Sequence, residues 1–171
     1  MLHIYYGNGK GKTTAAVGLT VRACGAGMKT AFFQFLKNGS SSEIEILRSM
    51  NNVQVFCCIE CNKFTFEMSD EDKKVVTLCH DRMLQKAANL LDNNDVQLIV
   101  LDEFLDAYNK NLINKEISNQ FINNYLQKCE IIMTGRDPSE ELKKCADYLT
   151  EMKAVKHPYD NGISARKGIE Y

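Results

Sequence analysis

Leu2-His3-Ile4-Tyr5-Tyr6-Gly7-Asn8-Gly9-Lys10-Gly11-Lys12-Thr13-Thr14 is the stretch that decides the fold of this chain. A short apolar run, Leu2 to Tyr6, enters a glycine-rich turn, and a small-residue helical run, Ala15 to Ala23, leaves it. Strand, glycine loop and helix in that order make a phosphate cradle. The glycines let backbone N–H groups turn inward, the helix N-terminus adds partial positive charge, and the lysine reaches the terminal phosphates. Gly7, Asn8, Gly9, Lys10, Gly11, Lys12, Thr13 and Thr14 are therefore expected to bind a nucleoside triphosphate such as ATP. Thr13 is placed to offer its hydroxyl to Mg2+. The usual spacing of such loops wants its first glycine where this chain has Tyr6; the first glycine is Gly7, so the loop is one residue short.

Outward from the loop, 171 residues are most simply one domain, 1–171, long enough for a real core. The chain is 44% apolar and 25% charged, which is ordinary for a globular protein, and its net charge of −1 gives no overall basic field for a nucleic-acid partner. No apolar run approaches the roughly 20 residues of a membrane span, and none is expected to be one. No secretory segment precedes the first strand, and seven cysteines are an odd number, so free thiols in a reducing cytoplasm are expected rather than a disulfide framework.

The first helix should stop near Gly25 and Gly27, both suited to a left-handed cap. Thr30 to Phe35 reads as a buried strand, Ser40 with Glu43 as a capping box for a helix through Met50, and Val53 to Cys57 as a third strand. Residues 58–69 have no period and read as a loop. Ser69 followed by three acids starts a long helix whose stripe is Val76, Cys79, Met83, Ala87 and Leu91. Gln97 to Leu101 is a continuous apolar strand, Ile117 to Leu126 a helical face, and Glu130 to Met133 a further strand. Asp137-Pro138 should cap a helix through Ala146, Tyr148 to Val155 should be the last strand, and a polar tail follows from His157. The alternation implies an α/β fold, a mostly parallel sheet with helices on both faces, with ligands at the carboxyl ends of the strands.

Two constellations fall at such ends besides the loop. Leu98 to Leu101 runs into Asp102-Glu103, a strand-tip carboxylate pair that suits Mg2+ opposite Thr13; spacing leaves open which acid touches the ion. Arg136, after Thr134-Gly135, can neutralise a triphosphate or leaving group, or simply pair with Asp137. Phe64 and Phe66 are either a satellite hydrophobic cluster under a loop or an aromatic platform for a flat ligand. Cys58 and Cys61 have zinc-knuckle spacing, but no second such pair exists, and Cys79 lies on an apolar stripe where a buried thiol is usual, so no metal–thiol site is expected.

Taken together, Gly7 to Thr14, Leu101-Asp102-Glu103, Thr134-Gly135-Arg136 and the tail from Glu151 to His157 with Asp160, Gly162-Ile163, Ala165 and Gly168 to Tyr171 resemble the P-loop ATP:corrinoid adenosyltransferases. The resemblance runs almost end to end, looser over residues 38–100 apart from Phe64 to Glu67. It implies a RecA-like P-loop NTPase architecture, a homodimer, and transfer of the 5′-deoxyadenosyl group of ATP to Co(I) of cobalamin or a precursor corrinoid, with release of tripolyphosphate. The loop would hold the triphosphate in reversed orientation, with Lys12 and Arg136 catalytic and Thr13 and Glu103 on Mg2+. Phe64 and Phe66 would bind the corrinoid and displace its lower axial ligand, giving a four-coordinate Co(II) that a flavoprotein can reduce; Phe66 stands where the compared relative has tryptophan. An N-terminal extension that covers the site in relatives has no counterpart before Leu2, so cover is expected from elsewhere. Two rivals remain on the residues alone. One is a P-loop ATPase or phosphotransferase acting at the γ-phosphate, with Glu103 as base. The other is a RecA-like ATP-dependent DNA-binding module, which the absence of a basic, aromatic-interleaved groove disfavours.

Overall fold

A computed structural model describes residues 1–171 as alternating strands and helices. In chain order these are β1 (Leu2–Tyr6), α1 (Lys12–Gly25), β2 (Thr30–Gln34), α2 (Ser42–Ser49), β3 (Val53–Cys57), α3 (Asp70–Asp92) and β4 (Leu98–Asp102). There follow α4 (Phe104–Asn109), α5 (Lys115–Tyr125), β5 (Glu130–Thr134), α6 (Glu140–Cys145), β6 (Tyr148–Glu151) and a 3-10 turn, Pro158–Asn161. The strands form one six-stranded sheet in the order β3-β2-β4-β5-β1-β6. Every pairing in it is parallel.

Burial follows the two-residue period of the strands. Phe33, Phe35, Ile99, Leu101, Ile131 and Met133 point to one face, where they join Val76, Leu84 and Ala87 of α3, Leu105 of α4 and Phe121 of α5. Phe32, Leu98, Val100 and Ile132 point to the other and meet Ala16 and Ala23 of α1 and Ile44 and Leu47 of α2. Ala16, Thr20 and Ala23 form the buried stripe of α1, and their small side chains let the helix lie close to the sheet. Both faces of β2 and β4 are covered, which is why these strands read as unbroken apolar runs.

Several boundaries differ from the sequence expectation. α2 begins at Ser42 with Ser41 as N-cap and no side-chain cap, so the Ser40–Glu43 capping box does not form. Glu43 is drawn instead toward Gln34, whose amide donates to it at 3.5 Å, and toward Lys37. α6 is capped by Ser139, whose Oγ accepts from the Leu142 amide, while the Asp137 carbonyl is taken by Asn109. β6 ends at Glu151 rather than Val155, because the following residues leave the sheet to cross the glycine loop. α4 was not expected: its six residues are too few to show a period. Ser69 does cap α3, in a reciprocal box with Asp72.

His80, on the buried side of α3, ties the layers together. Its Nδ1 donates to the Leu112 carbonyl at 2.6 Å and its Nε2 accepts from the Leu36 amide at 3.3 Å. Burial pulls its pKa below the ordinary 6.5, against the weaker opposing pull of the Leu112 bond and of Asp81 and Glu60. The unfolded chain therefore takes up this proton before the folded one does. The stabilisation is complete above about pH 6.5 and lost as pH falls below it, at up to about 1.4 kcal/mol per pH unit. Urea midpoints between pH 7.5 and 5.5 should fall less steeply for His80→Gln than for the parent; equal slopes would contradict this.

Candidate active site

The glycine loop leaves β1 and turns at Gly7 and Gly11, which hold positive φ of 105° and 115°. Its glycines answer a second demand that spacing did not reveal. A Cβ on Gly7 or on Gly9 would lie 2.6 Å from the Met152 carbonyl oxygen, because the chain after β6 passes directly over the loop. The Gly9 amide donates to that oxygen at 2.7 Å and the Gly7 amide to the Arg136 carbonyl at 3.1 Å. These two N–H groups are thus engaged by the protein. The first amides of α1, those of Lys12, Thr13 and Thr14, have no intrahelical acceptor and no side-chain cap, and they make the anion-attracting end of the helix. Lys12 folds back so that Nζ donates to the Gly9 carbonyl at 2.9 Å. Burial lowers its pKa, nearby Arg136 adds to the effect, and Glu103 and Asp106 oppose it.

Because β5 lies between β1 and β4, its tip stands between the loop and the β4 carboxylates. Asp102 is fully buried there. Its Oδ1 accepts from the Thr13 hydroxyl at 2.8 Å and from the Thr134 hydroxyl at 2.7 Å. The Thr134 oxygen in turn accepts from the Glu103 amide at 2.8 Å. Thr13 therefore touches Asp102 rather than Glu103. Glu103 takes the left-handed conformation, φ 62°, which a non-glycine residue adopts only at a cost. Burial raises its pKa and the charge of Asp102 raises it further, while Lys37 pulls it down. Gly135 is held by close approach: a Cβ there would fall 2.5 Å from that of Leu105.

Lys37 was missed in the sequence. Its Nζ lies 3.7 Å from Asp102 Oδ2 and 3.5 Å from Glu103 Oε1. Burial disfavours its charge, but Asp102, Glu103 and Glu43 outweigh that and raise its pKa. Its position just beyond a buried strand was a usable signal. The left-handed Leu36, φ 55°, which turns Lys37 toward β4, was not.

A cavity of about 370 Å³ opens beside the loop, lined by Lys10, Thr13, Thr14, Lys37, Glu43 and the tail residues Gly168 to Tyr171. The Arg166–Glu170 ion pair at 3.0 Å folds the tail on itself, and a bond from the Ser42 hydroxyl to the Tyr171 main-chain oxygen fastens it to α2. The polar tail is thus part of the site wall. Arg136 is exposed at the tip of β5, near Lys12.

Phe64 and Phe66 are 71% and 82% exposed, so they are not a cluster packed under a loop. Their rings stack with centroids 5.5 Å apart and planes within 5°. Thr65 between them is anchored by Lys110 at 3.1 Å, and the segment leaves the sheet at the same carboxyl edge as the glycine loop.

A glycine loop at the carboxyl edge of a parallel sheet, its threonine bonded to the carboxylate that ends a buried strand, defines a P-loop protein. Within that class the whole chain, residues 1–171, matches the model of the family described as ATP:corrinoid adenosyltransferase BtuR/CobO/CobP, and the protein belongs to this family. It is 32% identical to the corrinoid adenosyltransferase of Pseudomonas aeruginosa, over 100% of this chain and 83% of the relative. It is 29% identical to that of Escherichia coli K12 and 30% identical to corrinoid adenosyltransferase CobA of Salmonella typhimurium, in each case over 98% of this chain and 84% of the relative. ATP and a corrinoid are the substrates this family implies. No helix is long and apolar enough to cross a membrane.

Proposed function

We propose that this chain transfers the 5′-deoxyadenosyl group of ATP to Co(I) of cobalamin or a precursor corrinoid and releases tripolyphosphate. The observation that carries the proposal is the set of groups gathered at the loop mouth: Lys12, the first amides of α1, Arg136 and the Thr13–Asp102–Thr134 chain. These groups suit a departing triphosphate. The cobalt lone pair attacks C5′, a cobalt–carbon bond forms, and the C5′–O bond breaks with its electron pair going to the triphosphate. Cobalt rises formally from Co(I) to Co(III). Because Co(I) is itself the nucleophile, the protein supplies orientation and stabilises the charge that grows on the leaving oxygen. Lys12 and Arg136 provide positive charge for it, and the loop glycines allow close approach.

Mg2+ fits the oxygen donors present. Asp102 Oδ2 is buried with no hydrogen-bond donor, Asp102 Oδ1 accepts from the Thr13 hydroxyl, and Lys37 lies 3.7 Å from Asp102 and 3.5 Å from Glu103, so the two acids stand close together beside Thr13. In this proposal Thr13 and Glu103 hold the ion, Asp102 orients Thr13, and Lys37 neutralises the two acids. A bound Mg2+ would offset the charge of the triphosphate. Phe64 and Phe66 receive the flat corrinoid face. A flavoprotein supplies the electron, and the enzyme works as a homodimer in a reducing cytoplasm.

The test mixes the protein with ATP, Mg2+ and chemically reduced cobalamin and follows the absorbance of a light-sensitive cobalt–carbon bond. Glu103→Gln should raise the Mg2+ concentration needed for half-maximal turnover by about tenfold or more. If Asp102→Asn has the larger effect on Mg2+ dependence and Glu103→Gln none, the ligand is Asp102.

A further inference from the structure

The segment after β3 and the middle of α3 bring together side chains that the transferase site does not use. The Sγ atoms of Cys58 and Cys79 and a carboxylate oxygen of Glu60 all lie within 4.8 Å of one another. Cys58 is fully buried, Cys79 partly buried and Glu60 exposed, so the group has a closed base and an open mouth. A tight turn holds it: the Cys61 amide donates to the Cys58 carbonyl at 3.0 Å, and the Cys58 thiol points at Glu60 at 3.8 Å. His80 is not a member, since both its ring nitrogens are committed elsewhere. The two-residue spacing of Cys58 and Cys61 suggested the wrong partner; the fold pairs Cys58 with a thiol from the facing helix.

We propose that Cys58, Glu60 and Cys79 bind one thiophilic divalent cation of the zinc class. Two thiolates and a carboxylate are a donor set that zinc accepts, with a fourth tetrahedral position left to water. Zn–S bonds of about 2.3 Å place neighbouring ligand atoms roughly 3.5–3.8 Å apart, about an ångström inside the 4.8 Å within which these three already lie. The cation replaces the thiol protons and releases them to solvent. Bound there, it ties the root of the segment that carries Phe64 and Phe66 to α3. The site stands apart from the glycine loop, and its occupancy is read without ATP or corrinoid, so its failure would leave the transferase proposal untouched.

The test is a titration of the reduced, metal-free full chain with Co2+, followed by Zn2+. One equivalent of Co2+ should give a thiolate-to-cobalt charge-transfer band and tetrahedral visible bands, and one equivalent of Zn2+ should abolish them. Co2+ held by Thr13 and Glu103 would give no thiolate band. Cys79→Ala should weaken binding at least tenfold, and Glu60→Gln, at an exposed position that cannot disturb the core, should do so by about tenfold or more. Cys145→Ala, at an exposed thiol of α6, should change nothing. The proposal is overturned if no thiolate band appears at one equivalent, if Cys79→Ala or a folded Glu60→Gln binds like the parent, or if mass spectrometry finds a Cys58–Cys79 disulfide in protein that takes up no metal.

Discussion

Lys12→Ala is expected to lower adenosyl transfer by about 10²–10³-fold, the loss typical of removing one preorganised group from a site of developing charge. Lys12 sits at the start of α1, folded onto the Gly9 carbonyl in a partly buried position that already depresses its pKa. A triphosphate would relieve that burial cost by pairing the ammonium, and the pairing strengthens as C5′–O breaks and negative charge gathers on the leaving oxygen. Little of the fold depends on this side chain. It makes one hydrogen bond to a local carbonyl and belongs to neither apolar cluster. The variant should therefore unfold within about 1 kcal/mol of the parent. Parent-like turnover in a folded variant would remove Lys12 from the mechanism.

Phe66→Ala is expected to separate reduction from alkylation. If Phe64 and Phe66 displace the lower axial ligand, their work ends once Co(II) can be reduced. Removing the large apolar ring lets the ligand or water return. Turnover from Co(II) with a flavoprotein reductant should fall by about tenfold or more, while turnover from preformed Co(I), which holds no tight lower ligand, should fall far less. Phe66→Trp should keep or raise the Co(II) activity. At 82% exposure, Phe66 contributes little to the core, so an effect through global unfolding is not expected. Equal losses in both assays would end the four-coordinate account.

In the sequence β2, β4 and β5 were legible within one residue at their ends, because covered faces demand apolar side chains. The edge strand Val53–Cys57 was located to the residue although only Val53 in it is buried. Helix starts were less legible, since caps are decided by competition for side chains. Glu43 was lost to Gln34 and Lys37, and Asp137 gave way to Ser139. The glycine loop and the acids after β4 announced themselves through spacing. The partners that organise them did not: Thr134 and Lys37 reach Asp102 only because β5 lies between β1 and β4 and because Leu36 turns left-handed. The crossing of Met152 over Gly7 and Gly9 likewise depends on where β6 leaves the sheet.

The central claim is that ATP is cut at C5′ and not at a phosphate. It is tested most directly by analysing the phosphorus products of a reaction containing ATP, Mg2+ and chemically reduced cobalamin. The account predicts one tripolyphosphate for each cobalt–carbon bond formed, and none when the corrinoid is left out. Orthophosphate with ADP, produced whether or not the corrinoid is present, would contradict it.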